Sequence, residues 1–346
     1  MPVLESDARE QALAVAVPVP VPGPRPGPGP LGGPVRTHGE FVQALVELAK
    51  PRITKLVTMT AAVGFVLGVF GRGFGWGEVA VVGSGCLIGT AASAAGANAL
   101  NQWWERARDA LMPRTANRPL PMGRLTSGAA FGSGVLCSVV GVGLLLALCG
   151  PAAALVSLAT ILIYVLVYTP SKPVTPVNTL IGAVPGALPP MIGWCAGLGV
   201  GTPAMRVWYE PLMLGGGWSL FALMFVWQLP HFFAIAWMYK DDYAAGGHRM
   251  LSWYDATGRW TGLTIVATSA MLVPATLLPV WALPGVLGVG YAVVAGVTGV
   301  VYLVLCLRLL RGMHRPAARR VFLASIIHLP VLLVAMVVEV LVRAVW

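Results

Sequence analysis

Nine long apolar runs constrain how this chain folds. Each is long enough to cross the hydrocarbon core of a bilayer as a helix, and far longer than a membrane β-strand. Because the membrane interior offers no water to backbone N–H and C=O groups, such runs satisfy them internally as helices. The mean hydropathy of +0.78 places the whole chain in the membrane class. We therefore predict an all-α, polytopic membrane protein, a nine-helix transmembrane bundle with spans near residues 54–71, 79–102, 127–149, 151–169, 177–200, 211–238, 262–282, 284–306 and 321–344.

The distribution of basic residues predicts the orientation of the bundle. The net charge is +10, but the cations alternate between connections, as the positive-inside rule requires, so we expect no nucleic-acid partner. They precede the first run or occupy even-numbered connections: Lys50, Arg52, Lys55, Arg106, Arg108, Arg114, Arg118, Arg124, Lys172, Lys240, Arg249, Arg259, Arg308, Arg311, Arg315, Arg319 and Arg320. We expect the N-terminus and these connections in the cytoplasm and the C-terminus on the opposite side.

The first 40 residues differ in composition from the rest. Residues 18–30 alternate proline with valine, glycine and arginine, which prevents helix formation and leaves little to bury. Residues 1–40 are therefore expected to be a disordered, Pro/Gly-rich cytoplasmic tail, and residues 41–346 to be one transmembrane domain.

Small residues and prolines predict close helix packing and a cavity inside the domain. The segment Gly89–Gly96 lets neighbouring helices approach closely. Pro185, Pro189 and Pro190 interrupt the fifth run, and broken backbone at membrane depth is tolerated where it lines a cavity. We expect a central cavity capped by the cytoplasmic loops. The five cysteines lie in apolar runs without a CxxC pair, which favours packing over a metal or redox role.

Two acidic patches interrupt the apolar pattern at the ends of the second and sixth runs. Asn101, Glu105 and Asp109 are spaced four residues apart and share one face of a helix. Asp241 and Asp242 follow the sixth run, on the same side of the membrane. Such hard oxygen ligands suit Mg²⁺. A lone patch would equally fit a helix end paired with nearby arginines, but two patches on one face favour a metal site.

Cations beside these acids indicate an anionic substrate. Arg114 and Arg118 lie four residues apart and can bind phosphate oxygens, with Lys172 and Lys240 on the same side. Metal and cations above an apolar bundle fit a substrate with an anionic head and a long apolar tail. A prenyl diphosphate is such a molecule, and its departing diphosphate would be neutralised there.

Over residues 45–345 the chain resembles the protoheme IX farnesyltransferase (heme O synthase) family, within the membrane-embedded prenyltransferase superfamily. The acidic motif at Asn101–Pro119 is shared across that superfamily, whereas Trp227–Phe232 with Lys240–Gly247 indicates the heme branch. Further matching stretches are Lys50–Ile53, Tyr168–Lys172, Asn178–Trp194 and His328–Pro330.

The resemblance implies transfer of the farnesyl group of farnesyl diphosphate to a vinyl group of heme b, giving heme O and diphosphate for heme A and cytochrome oxidase biosynthesis. It implies Mg²⁺ as cofactor, the cell (inner) membrane as location and a downstream heme A synthase as a further partner. Mg²⁺ would be held by Asn101, Glu105, Asp109, Asp241 and Asp242, and diphosphate would be bound by Lys50, Arg114, Arg118 and Lys172.

Two histidines inside spans are candidate ligands for heme iron. A polar ring in the membrane needs a partner, so His231 and His328 either bind iron or hydrogen-bond to a neighbouring helix. The resemblance implies heme binding at both, with Trp227 and Gln228 lining the acceptor pocket or serving only in packing.

Three other functions fit parts of the sequence. The acceptor could be a quinone or chlorophyll precursor, because the acidic motifs do not distinguish acceptors. A heme-binding assembly factor without activity would share the histidines. An ion transporter would need charges at mid-span, whereas only Glu339 lies within the last span.

Overall fold

The structure, a computed structural model, describes residues 37–201 and 208–345. Within that part of the chain, nine helices are long and apolar enough to cross a membrane. The labelled helices are α1 His38–Leu48, α2 Pro51–Val69, α3 Trp76–Asp109, α4 Ser127–Cys149, α5 Pro151–Ser171, α6 Asn178–Leu198, α7 Gly215–Met238, α8 Lys240–Ala245, α9 Arg259–Ala282, α10 Val289–Arg311 and α11 Arg315–Val345. The predicted all-α class and nine-span bundle are confirmed.

Two helices extend well beyond their apolar runs. Helix α3 continues seven residues past the predicted end at residue 102, and α11 begins at Arg315 rather than at residue 321. Hydropathy marks only the lipid-facing part of a helix, while backbone hydrogen bonding continues into polar sequence. As a result, the first acidic patch lies on regular helix, as its four-residue spacing predicted.

Two spans contain an irregular segment. The α6 span is interrupted at Leu188, immediately before Pro189, as the prolines predicted. The α5 span widens into a π-helix over Ile163–Tyr168, which no sequence signal indicated. Such segments often occur at functional sites because they redirect the side chains that follow.

The core is centred on α6 and α7, the two most buried spans. Helix α2 packs along α6, α3 along α4, and α7 between α9 and α11. Small residues allow these contacts: a Cβ at Gly193 would overlap the carbonyl of Ala61 on α2, and one at Gly96 would overlap Ser138 on α4. This agrees with the expectation that small residues permit close helix approach.

We expect Gly193→Val to destabilise the protein by roughly 1–3 kcal/mol or more, because the added methyl groups meet backbone atoms that cannot rotate away. Thermal unfolding in detergent measures the effect. Gly143→Val is the control, since a Cβ at Gly143 meets nothing within 4 Å on an exposed face. Equal melting temperatures for the two variants would contradict this packing.

The predicted tail falls almost entirely outside the described residues, which begin at Thr37. Thr37 caps α1 with a capping box formed with Glu40. Helix α1 is joined to the connection after α3 by an ion pair between Glu47 and Arg124. All five cysteines are free, and four of them are buried.

Candidate active site

The first acidic patch forms a buried polar row on α3. Asn101, Glu105 and Asp109 are 1%, 5% and 1% exposed, respectively. The Asn101 amide donates hydrogen bonds to Oε2 of Glu105 and to Oγ1 of Thr169, both at 3.0 Å. The three side chains therefore lie on one inward face of α3, as their spacing indicated.

Three cations converge on this row. Nζ of Lys172 lies 2.7 Å from Oε1 of Glu105, and Nη1 of Arg118 lies 2.6 Å from Oδ2 of Asp109. Nζ of Lys50 donates to Oδ1 of Asn101 at 2.9 Å. Three of the four predicted diphosphate-binding residues thus contact the three polar residues of α3. Pairing of an acid with a nearby arginine, the alternative for a lone patch, occurs at Asp109.

Lys50 adopts a strained backbone conformation. It is the one non-glycine residue with positive φ in the described chain, at 48°, immediately before Pro51 begins α2. Non-glycine residues in the left-handed region are frequent at ligand-binding sites. Burial, together with nearby Arg118, lowers the pKa of the Lys50 amine to about 7. An anionic ligand would favour its charged form.

Lys172 lies between a carboxylate and an aromatic ring. Its Nζ is 4.7 Å from the ring centre of Tyr168 as well as close to Glu105. Burial alone would lower the pKa of Lys172, but the Glu105 carboxylate raises it well above the usual value. Glu105 thus favours the charged form of Lys172 at the end of α5.

The second acidic patch lies on α8 at the same end of the bundle, which we call the site end. The Arg114 guanidinium lies over the rings of Tyr239 and Tyr243, at 5.2 and 5.4 Å, and so joins the connection after α3 to α8. Asp241 is exposed and Asp242 half-buried. Neither carboxylate forms an ion pair with any described residue. The structure thus brings the two patches to one end of the bundle.

The first patch has donors suited to a hard divalent cation. Oδ1 of Asp109 is buried and has no hydrogen-bond partner in the described chain. No group of three or more His, Cys, Asp or Glu side chains there is close enough to hold a metal. Mg²⁺ commonly takes only one or two carboxylates and completes its shell with water and substrate phosphate. Asp109, Glu105 and the Asn101 carbonyl meet that requirement.

Two further residues at this site, Thr169 and His248, were not predicted from the sequence. Thr169 links Asn101 to the π-helical segment through the carbonyl of Tyr164, at 2.8 Å. His248 is 2% exposed, its ring lies 6.0 Å from that of Tyr243, and its pKa is lowered to about 4 by burial and by Lys172. Thr169 lies in the Tyr168–Lys172 stretch, which was a usable signal, but nothing in the sequence indicated that His248 is buried.

The candidate acceptor residues lie deeper in the bundle. Nδ1 of His231 is 2.7 Å from Oγ of Ser325, and its ring stacks on Trp227 at 5.0 Å. The hydrogen-bonded alternative for His231 is thus present. His328 is buried against Tyr302, and neither ring nitrogen has a partner among the described residues. Gln228 donates to the carbonyl of Met224 on its own helix, at 2.9 Å.

The single acid inside the last span does not extend a polar path. Glu339 pairs with Arg343 at 3.0 Å and accepts from the backbone N–H of Tyr291 at 3.2 Å. It lies at the opposite end of α11 from the site end. Within the part of the chain that the structure describes, Glu339 therefore does not connect to the site end through a row of charges.

Comparisons with known proteins agree with this geometry. The UbiA prenyltransferase family model matches residues 56–329. A protein named protoheme IX farnesyltransferase from Opitutus terrae is 41% identical over 85% of this chain and 93% of its own length. Another of that name, from an Anaeromyxobacter species, is 40% identical over 86% of this chain and 93% of its own.

Solved structures share the fold at low sequence identity. A digeranylgeranylglyceryl phosphate synthase is similar with a TM-score of 0.68 at 15% identity, covering 87% of this chain and 99% of the other. A UbiA homolog from Archaeoglobus fulgidus bound to GPP and Mg²⁺ is similar with a TM-score of 0.57 at 15% identity, covering 85% and 99%. At this identity the likeness establishes the membrane-embedded helical fold.

Proposed function

Because the chain belongs to the UbiA prenyltransferase family, we propose that it transfers the farnesyl group of farnesyl diphosphate to a vinyl group of heme b. The products are heme O and diphosphate. The observation that carries the proposal is the buried row of Asn101, Glu105 and Asp109 with its three cations. The shared name of its relatives, protoheme IX farnesyltransferase, supports the choice of donor and acceptor.

Transfer begins with loss of diphosphate from the donor. The bond between the farnesyl C1 and the diphosphate oxygen breaks, and its electron pair leaves with diphosphate. Lys50, Arg114, Arg118 and Lys172 bind the departing anion, and a low-dielectric site strengthens each contact. The allylic cation is stabilised where aromatic π faces surround it. A heme vinyl group attacks this cation, and water then captures the new cation and loses a proton, giving the hydroxyethylfarnesyl side chain.

The acids of both patches would hold Mg²⁺, which when bound neutralises diphosphate as a Lewis acid. Asn101, Glu105 and Asp109 supply oxygens from α3, and Asp241 and Asp242 from α8. The buried, unpartnered Oδ1 of Asp109 supports this assignment. Arg118 and Lys172, which pair with Asp109 and Glu105, would then turn to the diphosphate.

On the acceptor side, His231 and His328 would bind heme, with Trp227 and Gln228 lining its pocket. The unpartnered ring nitrogens of His328 support this role, as does the Trp227 ring stacked on His231. The enzyme would lie in the cell (inner) membrane with its N-terminus and site end in the cytoplasm. Its product would pass to a downstream heme A synthase.

A competition assay tests the acceptor. We expect purified protein with Mg²⁺ and farnesyl diphosphate to prenylate heme b but not an aromatic acid, with products identified by mass spectrometry. Conversion of the aromatic acid alone would instead support a quinone-type prenyltransferase. Heme binding without any product would support an assembly factor, and ion flux without prenylation would support a transporter.

A further inference from the structure

A cavity of about 620 Å³ lies between the end of α7 and the start of α11, at the site end of the bundle. Three arginines of α11 line it: Arg315, Arg319 and Arg320. Met238 and Leu323 contribute an apolar part of the wall, and Tyr239 lies between the two kinds of surface. We call this space the arginine cavity.

No residue that the structure describes neutralises the positive charge of the arginine cavity. Arg319 and Arg320 form no ion pair or hydrogen bond with any residue between 37 and 201 or between 208 and 345. Arg315 lies 6.0 Å from the ring centre of Tyr239. Within residues 37–201 and 208–345, no acidic side chain lines the cavity. Guanidinium groups with free donors bind carboxylate and phosphate oxygens strongly, so the cavity has the chemistry of an anion site.

Phe322, next to the cavity-lining residue Leu323 on α11, links the arginine cavity to the candidate acceptor residues. Phe322 follows Arg319 by three residues, about 4.5 Å along the helix axis. The Phe322 ring lies 5.0 Å from that of His231, which in turn contacts Ser325. A molecule whose anionic edge meets the arginines could extend along α11 toward Phe322 and His231.

The arginine cavity also adjoins the acidic site. Two guanidinium groups lie over the ring of Tyr239. That of Arg315 is 6.0 Å from the ring centre, and that of Arg114, one of the predicted diphosphate-binding residues, is 5.2 Å from it. The Tyr239 side chain thus separates the arginine cavity from the proposed diphosphate site. A ligand held by the arginines would lie beside the bound prenyl diphosphate.

We propose that the arginine cavity binds the two propionate carboxylates of heme b and so orients the macrocycle. Heme b carries both propionates on one edge, with its vinyl groups away from that edge. Anchoring the propionates at Arg319 and Arg320 directs the vinyl side into the bundle, toward the farnesyl group. This inference rests on the proposed function and adds to it the determinant of acceptor orientation.

An anionic lipid headgroup has related chemistry and also collects at helix ends. The acceptor carboxylates are favoured because Tyr239 of the cavity wall contacts Arg114 of the proposed diphosphate site, and because α11 leads from the cavity to Phe322 beside His231. The test therefore compares heme b with its dimethyl ester, in detergent with and without phosphatidylglycerol.

The test combines a protein change with a substrate change. Arg319→Gln/Arg320→Gln removes the two unpaired cations. The control Arg308→Gln/Arg311→Gln removes the same charge from the end of α10, outside the cavity. Glutamine is a good helix former, and all four arginines are exposed, so both variants should fold. Heme binding is followed by absorbance titration, and KM is measured for both acceptors.

We expect wild type and control to bind heme b at least about tenfold more tightly than the dimethyl ester, since charge-assisted hydrogen bonds are lost with the ester. The cavity variant should bind both acceptors equally weakly, with a correspondingly raised KM. Equal discrimination by all three proteins would overturn the proposal, as would a wild type that does not distinguish the acceptors. A cavity effect that appears only with phosphatidylglycerol would assign the site to lipid instead. A wild type that neither binds nor prenylates heme b would overturn the proposed function itself.

Discussion

Asp109→Ala is expected to abolish heme O formation, with turnover reduced by at least about 100-fold. Loss of this carboxylate removes a candidate metal ligand. A metal that stabilises a leaving group lowers the activation free energy by several kcal/mol. Each ~1.36 kcal/mol of activation free energy changes the rate by a factor of ten. Asp109→Asn should be nearly as inactive, because it keeps the shape of the side chain but not its charge. Turnover is measured with purified protein over a range of Mg²⁺ concentrations.

Glu78→Gln provides the matched control for Asp109. Glu78 lies on the same helix, α3, at its opposite end, where it is exposed. This variant should keep wild-type turnover and Mg²⁺ dependence. Near-normal turnover of Asp109→Ala, in protein that elutes and melts as wild type does, would refute a metal role for Asp109.

Lys172→Met is expected to destabilise the protein by roughly 3–5 kcal/mol, because it leaves Glu105 as a buried charge without its main partner. The double variant Lys172→Met/Glu105→Gln should recover most of that stability, since neither side chain is then charged. Its activity should stay lost, because both a diphosphate-binding cation and a metal ligand are missing. Denaturant unfolding in detergent and turnover measure the two effects separately.

The partly exposed ion pair of Arg124 and Glu47 is the control for the Lys172 and Glu105 variants. Both side chains are partly exposed, so solvent screens their attraction, and Arg124→Met should cost no more than about 1 kcal/mol. If Lys172→Met lowered the free energy of unfolding as little as Arg124→Met does, Lys172 would not be the main partner that stabilises the buried Glu105 carboxylate. If the double variant kept turnover, the proposed roles of both residues would be wrong.

Most of the fold could be predicted because lipid imposes a simple rule. Each span is a continuous apolar segment, so hydropathy finds it, and the prolines around Leu188 correctly predicted the broken span. The end of α3 was harder to locate, because polar residues such as Glu105 and Asp109 continue the helix after the apolar signal stops. The π-helical turn in α5 depends on packing against other helices and leaves no local pattern.

The candidate site was predictable where its residues share one helix. The spacing of Asn101, Glu105 and Asp109 was sufficient to place them on one face. Contacts between distant segments were not predictable: the pairing of Lys172 with Glu105 spans α3 and the end of α5, and the burial of His248 requires the docked connection after α8. That Asp241 and Asp242 share a metal with the α3 acids stays a prediction, since no group of three or more acids among the described residues is close enough to hold a metal.

Mass spectrometry of heme extracted from cells that express this chain tests the central claim most directly. Parallel cultures carry the wild-type chain, the Asp109→Ala variant and no insert, with protein levels compared in isolated membranes. We predict that heme O, with its hydroxyethylfarnesyl side chain, accumulates only with the wild-type chain. Unmodified heme b as the sole heme in cells with abundant wild-type protein, accompanied by a prenylated quinone precursor, would contradict the account.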